Sequence, residues 1–233
     1  ILEKGGTAVD AGVAAGLASN VIQVDMCNFG GVAPTLLRLA GSSQVWSMSG
    51  VGYWGRKVTH EKFRARYGDD MPLGAAVGVV PAAPDVWITA LQRFGTMSFK
   101  DVAAPAIHYA EESFPLDFRT ATALEILGRG FSKWESSRRI YHPQGRAPKL
   151  GERVVQKDLA NLLKTLANAE QGVTRENALE NVRRAFYEGD IAERIVRFNE
   201  EQGGWLAKED LAEFRCDVEV APHYTYHGYS VHT

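Results

Sequence analysis

Val9, Val13, Leu17 and Val21 recur every four residues, which sets them on one face of a helix from about Thr7 to about Val21. The intervening positions are mostly Ala and Gly, so neighbours can approach closely and the helix is expected to be buried. Gly30-Gly31 breaks the chain. Thr35–Leu39 and Gln44–Ser49 are β-prone runs separated by Gly41-Ser42-Ser43, and together they read as a β-hairpin. A loop, Gly50-Val51-Gly52-Tyr53-Trp54-Gly55-Arg56, follows, then a short polar helix from about Thr59 to Tyr67. Ala75–Val80 reads as a short apolar strand ending at Pro81.

Pro84-Asp85 opens a helix with Val86, Trp87, Leu91 and Phe94 on its apolar face, closed by Gly95. Ser98 with Asp101 resembles a capping box, and the helix it starts runs to about Glu112. Another is expected from about Leu116 to Leu127. Gly128 to Gly151 is polar, Pro-containing and aperiodic, which predicts a long surface excursion. Leu159, Leu162, Leu163 and Leu166 restore a helical face; Val182, Ala185 and Phe186 carry another; Ile191, Ile195 and Phe198 a third. The alternation of Val218 and Val220, Tyr224 and Tyr226, Tyr229 and Val231 is that of strands. No tandem repeat and no evident linker divides the chain, so 1–233 is expected to be a single domain.

Composition adds boundaries. The 233 residues are 45% apolar and 23% charged, enough for a core without staples. A formal net charge of -2 gives no electrostatic footprint for nucleic acid or an anionic membrane. Cys27 and Cys216 cannot make a disulfide framework. No apolar run approaches the ~18 residues of a membrane span. The expectation is a cytoplasmic protein, with the periplasm as the alternative, since residues can precede Ile1.

Several patterns carry competing chemistry. Gly50, Gly52 and Gly55 spell G-x-G-x-x-G, with Asp69-Asp70 downstream, but a dinucleotide site needs an apolar helix next, and Arg56–Lys62 is polar. His223 and His227 are four apart; on a strand that separation is roughly 13 Å, too far for one zinc ion. Cys27 reads as a structural thiol. Glu111-Glu112 and Glu200-Glu201 read as solvated helix ends. No metal and no cofactor is expected. Tyr53, Trp54 and Arg56 are the candidate substrate-binding cluster, with aromatic walls and a guanidinium for an anionic or carbonyl group.

The opening Gly5-Gly6-Thr7-Ala8-Val9-Asp10-Ala11-Gly12-Val13-Ala14-Ala15 resembles the "GGNAVDAAVAA" helix of the γ-glutamyltranspeptidase family. Val80–Val86 is similar to its "VPG-x-VAGL" turn, and Leu91–Gly95 to its "L-x-x-YG". Ala104–Ile107 with Glu111–Pro115 is similar to "APAI-x-LAE-x-GFP", Phe186–Ala192 to "FY-x-G-x-IA", and Gly203-Gly204 with Glu209-Asp210-Leu211 to "GG-x-(L/I)-x-x-EDL". The pieces stand in the family's order over nearly the whole chain.

The resemblance implies an α+β fold: the four-layer αββα sandwich of N-terminal-nucleophile hydrolases, this chain supplying mainly helical layers and part of the sheets. It implies an amide-bond hydrolase whose threonine nucleophile, freed by self-cleavage, lies on a companion small subunit. No catalytic residue is then expected in this chain, and its partners would be that subunit and a small-molecule amide, with higher oligomers of the heterodimer as an option. The family's carboxylate-binding arginine, after the hairpin, is replaced here by Ser49, Gly50 or Val51. That departure argues against a standard γ-glutamyl substrate. The alternatives are a γ-glutamyl transferase or hydrolase with its clamp displaced to Arg56, or a non-catalytic relative that binds a small ligand.

Overall fold

The computed structural model describes residues 1–233, apart from the side chains of Arg129 and Phe131. Its helices are α1 (Ala8–Ile22), α2 (His60–Tyr67), α3 (Ala83–Phe94), α4 (Phe99–Glu112), α5 (Phe118–Phe131), α6 (Glu135–Tyr141), α7 (Lys157–Ala169), α8 (Arg175–Tyr187), α9 (Asp190–Glu201) and α10 (Lys208–Ala212). Its strands are β1 (Thr35–Arg38), β2 (Val45–Met48), β3 (Phe114–Pro115), β4 (Arg153–Val154), β5 (Val218–Val220), β6 (His223–Tyr226) and β7 (Tyr229–His232). The class is α+β, as expected. The chain forms two compact units, each discontinuous in sequence: Ile1–Phe29 with Gly95–Glu170, and Gly30–Phe94 with Gln171–Thr233.

In the first unit α4 packs between α1 and α7. Thr7 caps α1 by accepting from the Asp10 N–H, and Asp10 reaches back to the Thr7 N–H at 2.7 Å. The fully buried Asp10 also accepts from the N–H groups of Thr96 (2.9 Å) and Met97 (3.0 Å). One carboxylate thus ties the start of α1 to the turn before α4. Burial alone would raise its pKa, but these donors outweigh it and hold the group below the usual carboxylate range. Glu170 accepts from the Phe99 and Lys100 N–H groups at 2.7 and 2.8 Å, closing the donors at the start of α4. β3 and β4 pair antiparallel.

In the second unit β1, β2 and β5 form an antiparallel sheet in that order, with Leu37 opposite Trp46 and Met48 opposite Val218. α3 packs on α8, α8 on α9, and α10 beside both. β6 and β7 form a separate hairpin around His227 (φ 49°) and Gly228 (φ 80°), the pair of positive φ values that a tight two-residue turn requires. Tyr224 faces Val231 and Tyr226 faces Tyr229, and all four are exposed.

Three expectations need correction. Ala75–Val80 is not a strand: Ala75–Val77 is a 3₁₀ turn, closed by the Val77 N–H to Gly74 O (3.2 Å) and the Gly78 N–H to Ala75 O (3.1 Å). The flanking glycine Gly74 sits at φ 93°, which a strand residue avoids, and only Val79 keeps a bridge, to Trp54. The excursion from Gly128 is also shorter than expected, because α5 runs through Gly128 and α6 follows. On α9 the buried positions are Ala192, Val196 and Asn199, one step round from the expected face, and Phe198 is exposed. Asn199 is buried because it is satisfied: its amide donates to Ala75 O and accepts from the Leu206 N–H at 3.0 Å.

Candidate functional site

The loop after β2 is fixed by its backbone. Gly50 O accepts from the Ala33 N–H at 2.8 Å, and Tyr53 O from the Val80 N–H at 2.9 Å. A Cβ on Gly50 would lie 2.1 Å from Ala33 O, one on Gly52 1.9 Å from Val80 O, and one on Gly55 2.4 Å from Trp205 O. The G-x-G-x-x-G spacing therefore records three close backbone approaches, not a phosphate cradle. Among the described residues of this stretch, Val51, Tyr53, Trp54 and Arg56 have exposed side chains.

Tyr53 and Arg56 meet at Asp210, while Trp54 packs on a different partner. The Tyr53 hydroxyl donates to Asp210 O at 3.2 Å, and its ring lies against Phe214 with centroids 5.5 Å apart. Burial, then the Asp210 charge, raises the phenol's pKa. Trp54 packs on Phe63 of α2 at 5.0 Å. Arg56, expected to meet an anionic group, meets two within this unit. Its Nε donates to Asp210 Oδ1 at 2.8 Å, its Nη2 to Glu213 Oε2 at 2.7 Å, and its backbone N–H to Asp210 Oδ1 at 3.1 Å. These bonds, Glu213 first, raise the guanidinium's pKa. Asp210 is lowered: burial opposes ionisation, but Arg56 and the Ala207 N–H favour it more.

Asp210 and Glu213 were not singled out from the sequence as a site, although Glu209-Asp210-Leu211 carried part of the family likeness. A second cluster was missed outright. Arg183, on α8, donates from Nε to Asp85 Oδ1 at 2.9 Å and from Nη2 to Phe214 O at 2.5 Å. Asp85 Oδ2 accepts from the Cys216 N–H at 2.8 Å. The Tyr187 hydroxyl donates to Pro81 O at 2.6 Å and accepts from the Asp85 N–H at 3.1 Å. The signal was available, since Arg183 falls in the same stripe as Leu179 and Phe186. Cys216, beside this cluster, is pushed up to about 12 by burial, then by the Asp85 charge, which suits an inert thiol.

The other candidates have different partners. The His223 ring stacks on that of His232, and His227 forms the hairpin turn. Cys27 Sγ lies 3.8 Å from Gln23 Oε1. Glu111 pairs with Lys164, and Glu200 lies 3.9 Å from Lys57. No described helix is long and apolar enough to cross a membrane.

Sequence and structure comparisons agree with this architecture. Residues 1–233 match the family model described as gamma-glutamyltranspeptidase, and the chain belongs to that family. It is 31% identical to the glutathione hydrolase-like YwrD proenzyme of Bacillus subtilis (strain 168), the match covering all of this chain and 42% of that protein. Among solved structures it resembles the gamma-glutamyltranspeptidase of Helicobacter pylori (TM-score 0.88, 27% identity, all of this chain, 64% of that one). It also resembles the cephalosporin acylase of Bacillus halodurans (TM-score 0.86, 29% identity, all of this chain, 42% of that one). The chain thus spans less than two thirds of each.

Proposed function

We propose that this chain is the large-subunit portion of a processed amide-bond hydrolase. In this reading a threonine on a companion small subunit attacks the amide carbonyl, its own α-amino group taking the proton. The amine leaves, a threonyl ester remains, and water hydrolyses it to release the acid and restore the hydroxyl. The observation that supports this best is the family match over the whole chain, together with proenzyme names among the relatives. The tyrosine face of β6 and β7 is the surface the companion would cover, since an isolated two-stranded hairpin is marginal in water. Tyr53 and Trp54 would wall the substrate. Arg56 would set the shape of that wall through Asp210 and Glu213, and so act on substrate as part of the loop. The setting we assign is cytoplasmic.

A γ-glutamyl substrate remains the second reading, because relatives are named glutathione hydrolases. It requires Arg56 to exchange one of its two carboxylate partners for the substrate's. Intact-mass measurement on the full-length protein tests the first claim: two chains are expected, the smaller beginning with threonine. A single uncleaved chain would overturn it and favour a non-catalytic relative. Comparing a simple acyl anilide with a γ-glutamyl anilide then separates the two substrates, faster turnover of the simple anilide being expected.

A further inference from the structure

In the first unit a groove of about 700 Å³ opens between α5 and the segment following α6. Along α5 it is lined by Phe118, Ala121, Thr122, Glu125 and Gly128. Glycine inside a helix costs roughly 1 kcal/mol relative to alanine, and here the site accounts for it: a Cβ at Gly128 would stand 2.9 Å from Cε1 and Nε2 of His142. The glycine leaves the space that lets the imidazole lie against α5. His142 is only 7% exposed, lines the groove, and its ring takes part in no hydrogen bond among the described residues. A buried imidazole offers hydrogen-bonding nitrogens that go unused unless water or a ligand meets them.

The loop that closes the groove is built before any ligand arrives. Arg146 donates from Nη1 and Nη2 to the two Glu152 oxygens, each at 2.8 Å, and Glu152 also accepts from the Lys149 N–H at 2.8 Å. The Arg146 pairing lowers Glu152 to about 2. Arg146 is therefore spent on structure. Among the described residues, the remaining charges lining the groove are Glu125 and Lys149, both exposed and neither in an ion pair, although the Lys149 charge also helps to lower Glu152. Phe118 and Leu150 add exposed apolar walls.

We propose that this groove binds a small, flat aromatic molecule that carries both an amino group and a carboxylate. The ring lies between Phe118 and Leu150, His142 supplies the buried polar contact, Lys149 takes the carboxylate and Glu125 the amine. A neutral aromatic would leave both charges unpaired, and a singly charged one would leave one of them unpaired. The groove residues all belong to the first unit.

Isothermal titration of the full-length protein with L-tryptophan tests this, with indole-3-propionate and tryptamine as singly charged comparators. Saturable L-tryptophan binding with a Kd on the order of 1 mM or tighter is expected, with each comparator at least roughly fivefold weaker. His142→Ala, Lys149→Met and Glu125→Gln should each weaken L-tryptophan at least roughly fivefold, with unfolding midpoints confirming that they fold. Should His142→Ala refold poorly, the two charge variants decide. No saturable binding, binding unchanged in the variants, or comparators as tight as L-tryptophan would overturn the proposal. None of these outcomes depends on amide hydrolysis.

Discussion

The second unit holds two arginine–carboxylate clusters that use the same bonds in opposite surroundings. Arg183 and Asp85 are 1% and 0% exposed, whereas Arg56 is 49% exposed over an Asp210 that is 1% exposed. At Arg183, Nε is taken by Asp85, Nη2 by the Ala212 and Phe214 carbonyls and Nη1 by Glu188, so the cluster ties α3, α8 and the approach to β5 into one piece. At Arg56 one face is bound and the other is wet. A buried pair makes a fold intolerant of loss, while a half-buried one positions a surface at little cost to stability.

The comparison breaks most visibly at Arg183. Arg183→Ala leaves the Asp85 carboxylate buried without its partner, and a loss of about 3–5 kcal/mol is expected in urea unfolding. Tyr187→Phe removes the hydroxyl between Pro81 O and the Asp85 N–H; the expected loss is about 1–3 kcal/mol. A variant within measurement error of the parent would show that water replaces that hydroxyl. Asp210 gives a smaller, pH-dependent effect. Its pKa is lower folded than unfolded, so folding releases its proton more readily. Its contribution is complete above the unfolded carboxylate range and fades as the pH falls through the folded value. Unfolding midpoints followed from pH 7 downward should fall less steeply in Asp210→Asn than in the parent. Arg56→Ala is expected to shift the midpoint least of all. Under the proposed function it should still lower turnover of a test amide roughly tenfold or more, because misplacing a wall by about an ångström is costly to reaction geometry. Unchanged kinetics would remove Arg56 from the proposed substrate-binding set.

Much of the helical framework was legible because periodicity and caps agree. Thr7, Thr59 and Ser98 each precede a helix and each accepts from the N–H three residues on. The hairpin β1–β2 and the terminal strands were also readable from their alternation. What escaped were features set by partners distant in sequence. Asn199 is buried through Ala75 and Leu206, so polarity misplaced the inner face of α9. Gly128 lies within α5, and a side chain there would meet His142, fourteen positions later. In the candidate site, Tyr53, Trp54 and Arg56 were singled out by their clustering and position in the family. Their supports were not, since Asp210 and Glu213 lie more than 150 residues along the chain.

Gly50 and Gly52 give the loop an unusual mutational geography. Any side chain at either position would drive into a carbonyl oxygen, at 2.1 Å from Ala33 and 1.9 Å from Val80. Val51 between them points outward and is exposed. Drift or deliberate engineering of the Gly50–Gly52 turn is thereby channelled through a single address, so a saturation library at Val51 samples what the two flanking codons forbid.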